Sequence, residues 1–206
     1  MTSVHDFADM DVSRETLDRL SHYVGLIQKW NQAINLVSKS TIPQIWNRHI
    51  ADSLQLASYL DETQSKWADL GSGGGLPGLV VAIVAKERYP NLNFDLVEID
   101  QRKSVFLRQV AQDLDLRVKV HTTKIEDTSP LNASVISARA LAPLSVLCDY
   151  ARRHLDPEGF CLFPKGAQSD AEVAEARKLW SFSLEQAKSK TEPQAKLLIL
   201  RAIEHV

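Results

Sequence analysis

The stretch Asp69-Leu-Gly-Ser-Gly-Gly-Gly-Leu-Pro-Gly78 constrains this chain more than any other: the apolar segment Lys66-Trp-Ala68 runs into it, and the apolar run Leu79-Val-Val-Ala-Ile-Val-Ala85 runs out of it. The order reads as a strand, a tight turn and a helix buried against a sheet. Gly71, Gly73 and Gly75 permit positive φ and leave no Cβ between the main chain and a ligand. Pro77 suits the first turn of the helix, where its missing N–H would have no partner in any case. At the carboxyl end of a first parallel strand, such a turn is where doubly wound α/β folds bind nucleotide-like ligands.

The rest of the chain alternates as βαβ units do. Strands are expected over 93–98, 117–121, 134–138 and 160–163, with an antiparallel pair over 182–186 and 196–203 at the end. Helices are expected over 102–114, with Val105, Phe106 and Val110 inward, and over 143–155 and 168–180; Asp156-Pro-Glu-Gly159 reads as a turn. Before the sheet, Ser13 is a candidate N-cap for a helix carrying Leu17, Leu20, Val24 and Ile27 on one face. A second helix is expected with the stripe Ile42, Ile45, Trp46, Ile50, Leu54 and Ala57. The expectation is one domain over 1–206, with a helical extension over 1–62 and a core over 63–206. The fold class is Rossmann-like α/β: a seven-stranded, mostly parallel sheet with helices on both faces.

A chain of 206 residues can bury roughly 70% of its unfolded surface and needs neither disulfides nor metal for stability. Cys148 and Cys161 are too few for a disulfide framework and fit a reducing cytoplasm. The first residues lack the basic start and apolar run of a signal peptide, and no segment reaches membrane-spanning length. A net charge of −2 argues against nonspecific coating of nucleic acid. Locally, however, Arg102, Lys103, Arg108, Arg117, Lys119 and Lys124 face only Asp113 and Asp115, so a small basic surface beside the turn is expected.

Gly73-Gly-Gly-Leu-Pro-Gly78 satisfies the dinucleotide pattern G-x-G-x-x-G, a weak signal. Asp69-x-Gly71-x-Gly73-x-Gly75 fits better and resembles motif I of class I S-adenosylmethionine (SAM) methyltransferases. Glu98 ends the second strand and suits two vicinal ribose hydroxyls, a device NAD-binding folds share. Glu126 either accepts from an adenine amino group or neighbours a helix cap. Arg139, ending an apolar strand, needs an anion or an exit because an unpaired buried charge is costly; it reads as a clamp for a methionine carboxylate or a phosphate. Lys165 either meets an RNA phosphate or is a solvated loop lysine. Arg48 and His49 line a substrate entrance, or Arg48 pairs with Asp52 one turn on and His49 is a half-buried core residue. Cys148 and Cys161 read as structural rather than nucleophilic, Trp30 and Trp46 as packing. No metal-ligand pattern stands out.

These segments together resemble a known family. Lys29-Trp-Asn-Gln-Ala-Ile-Asn-Leu36, Arg48-His-Ile-Ala-Asp-Ser-Leu54, the glycine turn, Arg102-Lys-Ser-Val-Phe-Leu107, Ser137-Ala-Arg-Ala140 and Lys165-Gly166 are similar to the RsmG family, also called glucose-inhibited division protein B. The resemblance implies methylation of guanine N7 in the decoding-region loop of bacterial 16S rRNA, on a small ribosomal subunit or its precursor, by a cytoplasmic monomer. It implies SAM as cofactor, with Gly71, Gly73, Gly75, Leu76, Glu98, Ile125, Glu126 and Arg139 around it. Arg48, His49, Arg102, Lys103 and Lys165 would then face RNA, with Arg139 and Lys165 the candidates nearest the chemistry. The family often has Lys-Arg at Arg102-Lys103 and an aromatic at Leu141. Rival readings are a nicotinamide-dependent oxidoreductase and a ribosome-binding module that transfers nothing.

Overall fold

A computed structural model describes residues 12–206; the segment judged to lack a signal-peptide pattern lies outside the described residues. Seven strands form one sheet in the order β3-β2-β1-β4-β5-β7-β6. They are β1 (Lys66–Leu70), β2 (Asn93–Val97), β3 (Val118–His121), β4 (Ala133–Ser137), β5 (Leu155–Lys165), β6 (Trp180–Lys188) and β7 (Lys196–His205). The first five run parallel, and β7 is antiparallel to both neighbours. Strand order reverses at β1, which lies between β2 and β4, so the crevice at its carboxyl end is the topological switch point.

The helices are α1 (Arg14–Trp30), α2 (Asp52–Leu54), α3 (Gly78–Arg88), α4 (Gln101–Asp113), α5 (Leu144–His154) and α6 (Ser169–Ala176). Ser13 caps α1 by accepting from Thr16 N–H, as expected. Every residue of α3 from Gly78 to Ala85 is buried. One side of α3, with Val81, Ala82, Val84 and Ala85, packs on sheet residues Trp67, Phe94 and Val135. The other, with Leu79, Val80 and Ile83, packs under Leu20, Tyr23, Val24 and Ile27 of α1. A helix covered on both sides has no polar stripe to show, which is why its sequence is apolar throughout. The amino-terminal helix therefore shares the core of the sheet. Each of its fully buried side chains contributes about 1.5–3 kcal/mol relative to exposure.

Four local expectations are corrected. The segment from 39 to 59 is a series of short turns: a 3₁₀ helix at Lys39–Gln44, a π turn at Trp46–Ala51, α2, and a second 3₁₀ helix at Gln55–Tyr59. Val105 is 51% exposed, while its neighbours Ser104 and Phe106 are buried; Ser104 Oγ donates to the Glu98 carbonyl, which phases α4. β5 runs through Asp156-Pro-Glu-Gly159 as a bulge, since Ala133 pairs with Leu155 and Val135 with Phe160. Finally, α6 ends at Ala176, because Trp180 enters the core as the first residue of β6, opposite His205. Both cysteines are free and buried. Among the described residues no helix is long and apolar enough to cross a membrane.

Candidate functional site

The glycine turn is shaped by backbone bonds. Gly71, Gly73 and Gly75 have φ of 66°, 55° and 87°. Ser72 N–H donates to Val97 O at 3.0 Å and Gly75 N–H to Ser72 O at 2.7 Å. A Cβ at Gly71 would stand 2.5 Å from Leu141 Cδ1, whereas at Gly73 the nearest atom would be 3.9 Å away, leaving that glycine open to the cavity. The turn is also held from behind. Asn31 at the end of α1 accepts from Leu36 and Val37 N–H, placing Leu36 beneath Gly74, and Tyr23 Oη donates to Gly74 O. This accounts for the segment Lys29–Leu36 in physical terms: it turns the chain so that Leu36 lines the cavity.

That cavity, of about 660 Å³, is lined by Gly71, Gly73, Leu76, Glu98, Ile99, Lys103, Thr123, Ile125, Glu126 and Arg139, among others. Glu98 is buried; its Oε2 accepts from Gly73 N–H at 2.7 Å and its Oε1 from Asp100 N–H at 2.8 Å. Each oxygen keeps a free lone pair, so the carboxylate can accept from two neighbouring hydroxyls. Ile99 is 60% exposed, an apolar face at the rim that the sequence reading passed over. Helix α5 fastens the far wall three times: Tyr150 Oη donates to Glu126, His154 Nε2 meets Ile125 O, and Arg153 donates to Thr128 O. The Tyr150 hydrogen bond holds the Glu126 carboxyl below its ordinary range. Gly75 and Asp69 sit under the turn rather than in the cavity. Burial pushes Asp69 up to about 6, against the opposing effects of the Ser137 and Ser72 hydroxyls, the Gly78 N–H and the Arg139 charge.

A second cavity, of about 730 Å³, lies on the other side of residues 139–141; Arg139, Ala140 and Leu141 line both. Ala140 has φ of 52°, the left-handed region that side chains rarely adopt. Arg139 NH1 donates to Asp52 Oδ2 at 2.9 Å, and NH2 lies 3.1 Å from His49 Nδ1. Nδ1 must therefore accept, leaving Nε2–H to donate to Thr41 Oγ1 at 2.8 Å. The neutral imidazole agrees with a pKa lowered to about 4 by burial and then by the Arg139 charge. The expected Arg48–Asp52 pair is absent. Asp52 is taken by Arg139, and Arg48 stands 3.8 Å from Glu192. Nor is Lys165 a solvated loop residue: its Nζ donates to Ala142 O and to Glu172 Oε2, both at 2.7 Å, while Glu172 also accepts from Leu144 N–H. Arg102 is exposed on α4, and Lys103 reaches the first cavity. Trp30 packs edge-on against Phe106.

The structure thus gathers Gly71, Gly73, Leu76, Glu98, Ile125, Glu126, Arg139 and Lys103 at the first cavity and Arg48, His49, Arg139 and Lys165 at the second. The sequence reading did not pair Asp52 with Arg139 or Glu172 with Lys165. Only the position of Asp52, one turn beyond Arg48 and His49, hinted at a role.

The positive-φ turn open at Gly73 and the two-oxygen acceptor at Glu98 fit the main chain approach and ribose diol of SAM. Sheet order, turn and carboxylate together define a class I methyltransferase. In fold the chain is similar to a solved TehB-like SAM-dependent methyltransferase from Corynebacterium glutamicum, with a TM-score of 0.57 at 12% identity, covering 88% of this chain and 98% of that one. The model of one family, rRNA small subunit methyltransferase G, matches residues 16–199. A Cereibacter sphaeroides protein named ribosomal RNA small subunit methyltransferase G is 50% identical over 199 residues, 97% of each chain. A Ruegeria pomeroyi protein of the same name is 46% identical, covering 98% of this chain and 99% of its own. The chain belongs to the rRNA small subunit methyltransferase G family and is a SAM-dependent rRNA methyltransferase.

Proposed function

We propose that this chain methylates N7 of a guanine in the decoding-region loop of 16S rRNA, by in-line attack of the base without a general base. The observation that supports the reading is the shared wall: Arg139, Ala140 and Leu141 line both cavities, so a ligand in the first and a nucleotide in the second would meet across them. SAM, when bound, supplies an electrophilic methyl on a sulfonium. Gly71, Gly73 and Leu76 would lie along it, Glu98 would hold its ribose, and Ile125 and Glu126 would bound its adenine. Gly75 acts beneath, by setting the turn.

Guanine N7 presents an in-plane lone pair and has no proton to lose. The site agrees with that demand. Among the described residues lining either cavity the histidine is His49, whose Nδ1 is committed to Arg139, and the carboxylates Asp52, Glu98, Glu126 and Glu172 already accept internal hydrogen bonds. Rate enhancement then rests on alignment and water exclusion, and well-oriented reactions reach effective molarities on the order of 10⁵ M or more. Leu36, Leu76 and Leu141 supply the apolar wall. Arg48, Arg102 and Lys103 would meet RNA phosphates. Lys165 and His49, held by internal partners, shape the second cavity from behind. The whole chain would work as one domain and as a monomer in the cytoplasm, on the small subunit or its precursor.

The test is to incubate the protein with labelled SAM and small subunits from cells lacking their own copy of the enzyme, then map label by cleavage specific for 7-methylguanosine. One labelled guanine is expected. Bound SAM with no transfer would instead support a binding module.

A further inference from the structure

The wall that would meet the adenine is held from behind by one helix face. Tyr150, Arg153 and His154 stand three and four residues apart on α5, the spacing that aligns side chains along a helix. His154 is fully buried with Nε2 3.0 Å from Ile125 O, and Thr128 N–H donates to the same oxygen at 3.2 Å. Lys124 O accepts from Asp127 N–H, Thr128 N–H and Thr128 Oγ1. Thr128 O accepts from Nε and NH2 of Arg153. A carbonyl oxygen has two lone pairs, so these three are filled before a ligand arrives. The Glu126 side chain differs. It lines the first cavity, and of the roughly four acceptor positions of a carboxylate the Tyr150 hydroxyl takes one, on Oε1 at 2.7 Å. Tyr150 itself is not part of the cavity lining.

We infer that Tyr150 is a specificity-determining positioning residue: its hydroxyl fixes the Glu126 carboxylate as acceptor for the 6-amino group of the cofactor's adenine and against a 6-oxo purine. The chemistry follows from the donor count. An ionised carboxylate only accepts, so it pairs with an amino group and repels a carbonyl oxygen at the same place. Donation from Tyr150 favours that ionised form, the direction in which the Glu126 carboxyl is shifted. Without it, an exposed glutamate is free among its rotamers, and ordering it on binding costs entropy. Tyr150, outside the lining, acts through Glu126. The inference rests on the functional reading above, in which Glu126 bounds the adenine.

The test measures calorimetric affinities for S-adenosylhomocysteine and S-inosylhomocysteine, which differ by a 6-amino against a 6-oxo group. It compares wild type with Tyr150→Phe, Glu126→Gln and the double variant, with thermal denaturation of the free proteins as the check on folding. Wild type is expected to prefer the adenosine ligand at least tenfold. In Tyr150→Phe that preference should fall about fivefold, the scale of one hydrogen bond, with the inosine ligand bound within about twofold of wild type. Glu126→Gln, whose amide can donate to the oxo group, should lose most of the preference. Adding Tyr150→Phe to it should lower the preference no further, since the two act as one unit. Glu126→Asp keeps the charge but sets it one methylene short of the Tyr150 hydroxyl. It should lose the preference to a similar extent, and it carries the test if Tyr150→Phe fails to fold. An unchanged preference in Tyr150→Phe, equal weakening of both ligands, or additive losses in the double variant would overturn the inference. A wild-type preference in Glu126→Gln would overturn the reading of Glu126 itself, a distinct result.

Discussion

The two cavities share one wall and are built in opposite ways. The first is made of backbone: three positive-φ glycines, N–H groups donating to Glu98, and a turn fixed by Ser72 and Gly75. The turn and its carboxylate lie within about thirty residues of one another, from Gly71 to Glu98. The second is made of side-chain ion pairs between distant segments: Arg139 with Asp52, Lys165 with Glu172, and Arg48 with Glu192. A backbone cradle tolerates almost any neighbouring sequence but no Cβ where it bends. An ion-pair lining has the reverse tolerance, since it survives changes of shape and fails when one partner is removed, leaving a shielded charge uncompensated. On the proposed reading, cofactor binding would depend on glycines, and handling of the RNA would depend on pairs.

The largest effect that would break this contrast is expected at Gly71. Gly71→Ala puts a Cβ at positive φ and against Leu141, which must swing into the shared wall. Backbone strain of this type costs about 1–3 kcal/mol. SAM affinity should fall at least tenfold, with the protein still folded. Thermal shift reads both at once, because a ligand at 100 times its Kd stabilises by about 2.7 kcal/mol in the wild type. A variant that binds SAM normally would mean the turn is not the cradle.

A second break would come from a pair of opposite pH dependences. Asp69, raised to about 6 under the first cavity, favours the protonated form in the fold. Stability from this group is full below its unfolded pKa near 4 and declines as pH rises to 6, on the order of 2–3 kcal/mol in all. His49, lowered to about 4 beside the second cavity, favours the neutral form. Its contribution is full above the unfolded pKa near 6.5 and is lost as pH falls toward 4. Denaturant titration from pH 4 to 7 should show Asp69→Asn removing the declining limb and His49→Gln the rising one. The same slope in both variants would contradict the assignment.

Arg48 sharpens the comparison at the small end. Its pair with Glu192 spans 3.8 Å between half-exposed side chains, worth no more than about 1 kcal/mol. Arg48→Ala should leave stability and SAM affinity unchanged. If Arg48 meets a phosphate, the salt slope of RNA binding should fall by about 0.7. An unchanged slope would remove Arg48 from the RNA surface.

The same division explains what could be read from the sequence. The strand, turn and buried helix from Lys66 to Ala85 were legible because each residue type answers to a local demand, and so were Glu98 at a strand end and Ser13 at a cap. Arg139 was legible as a charge needing a partner, but not the partner, which lies 87 residues away. The expected helix over 42–57 failed for a related reason. A π turn carries His49 to Arg139 and leads into Asp52 at the start of α2, and π turns often mark functional sites. Lys165 looked like any loop lysine until Glu172 and the carbonyl of Ala142 closed around it. Val105 and Trp180 were misplaced because tertiary packing, not local periodicity, decides which faces are buried.

The central claim is that the methyl goes to N7 of a guanine seated in the second cavity. The most direct measurement replaces the mapped guanine with 7-deazaguanine in a reconstituted small subunit and follows transfer from labelled SAM. The account predicts that label is lost while SAM and the subunit still bind. Continued methylation at that nucleotide would show that another atom receives the methyl, and would contradict it.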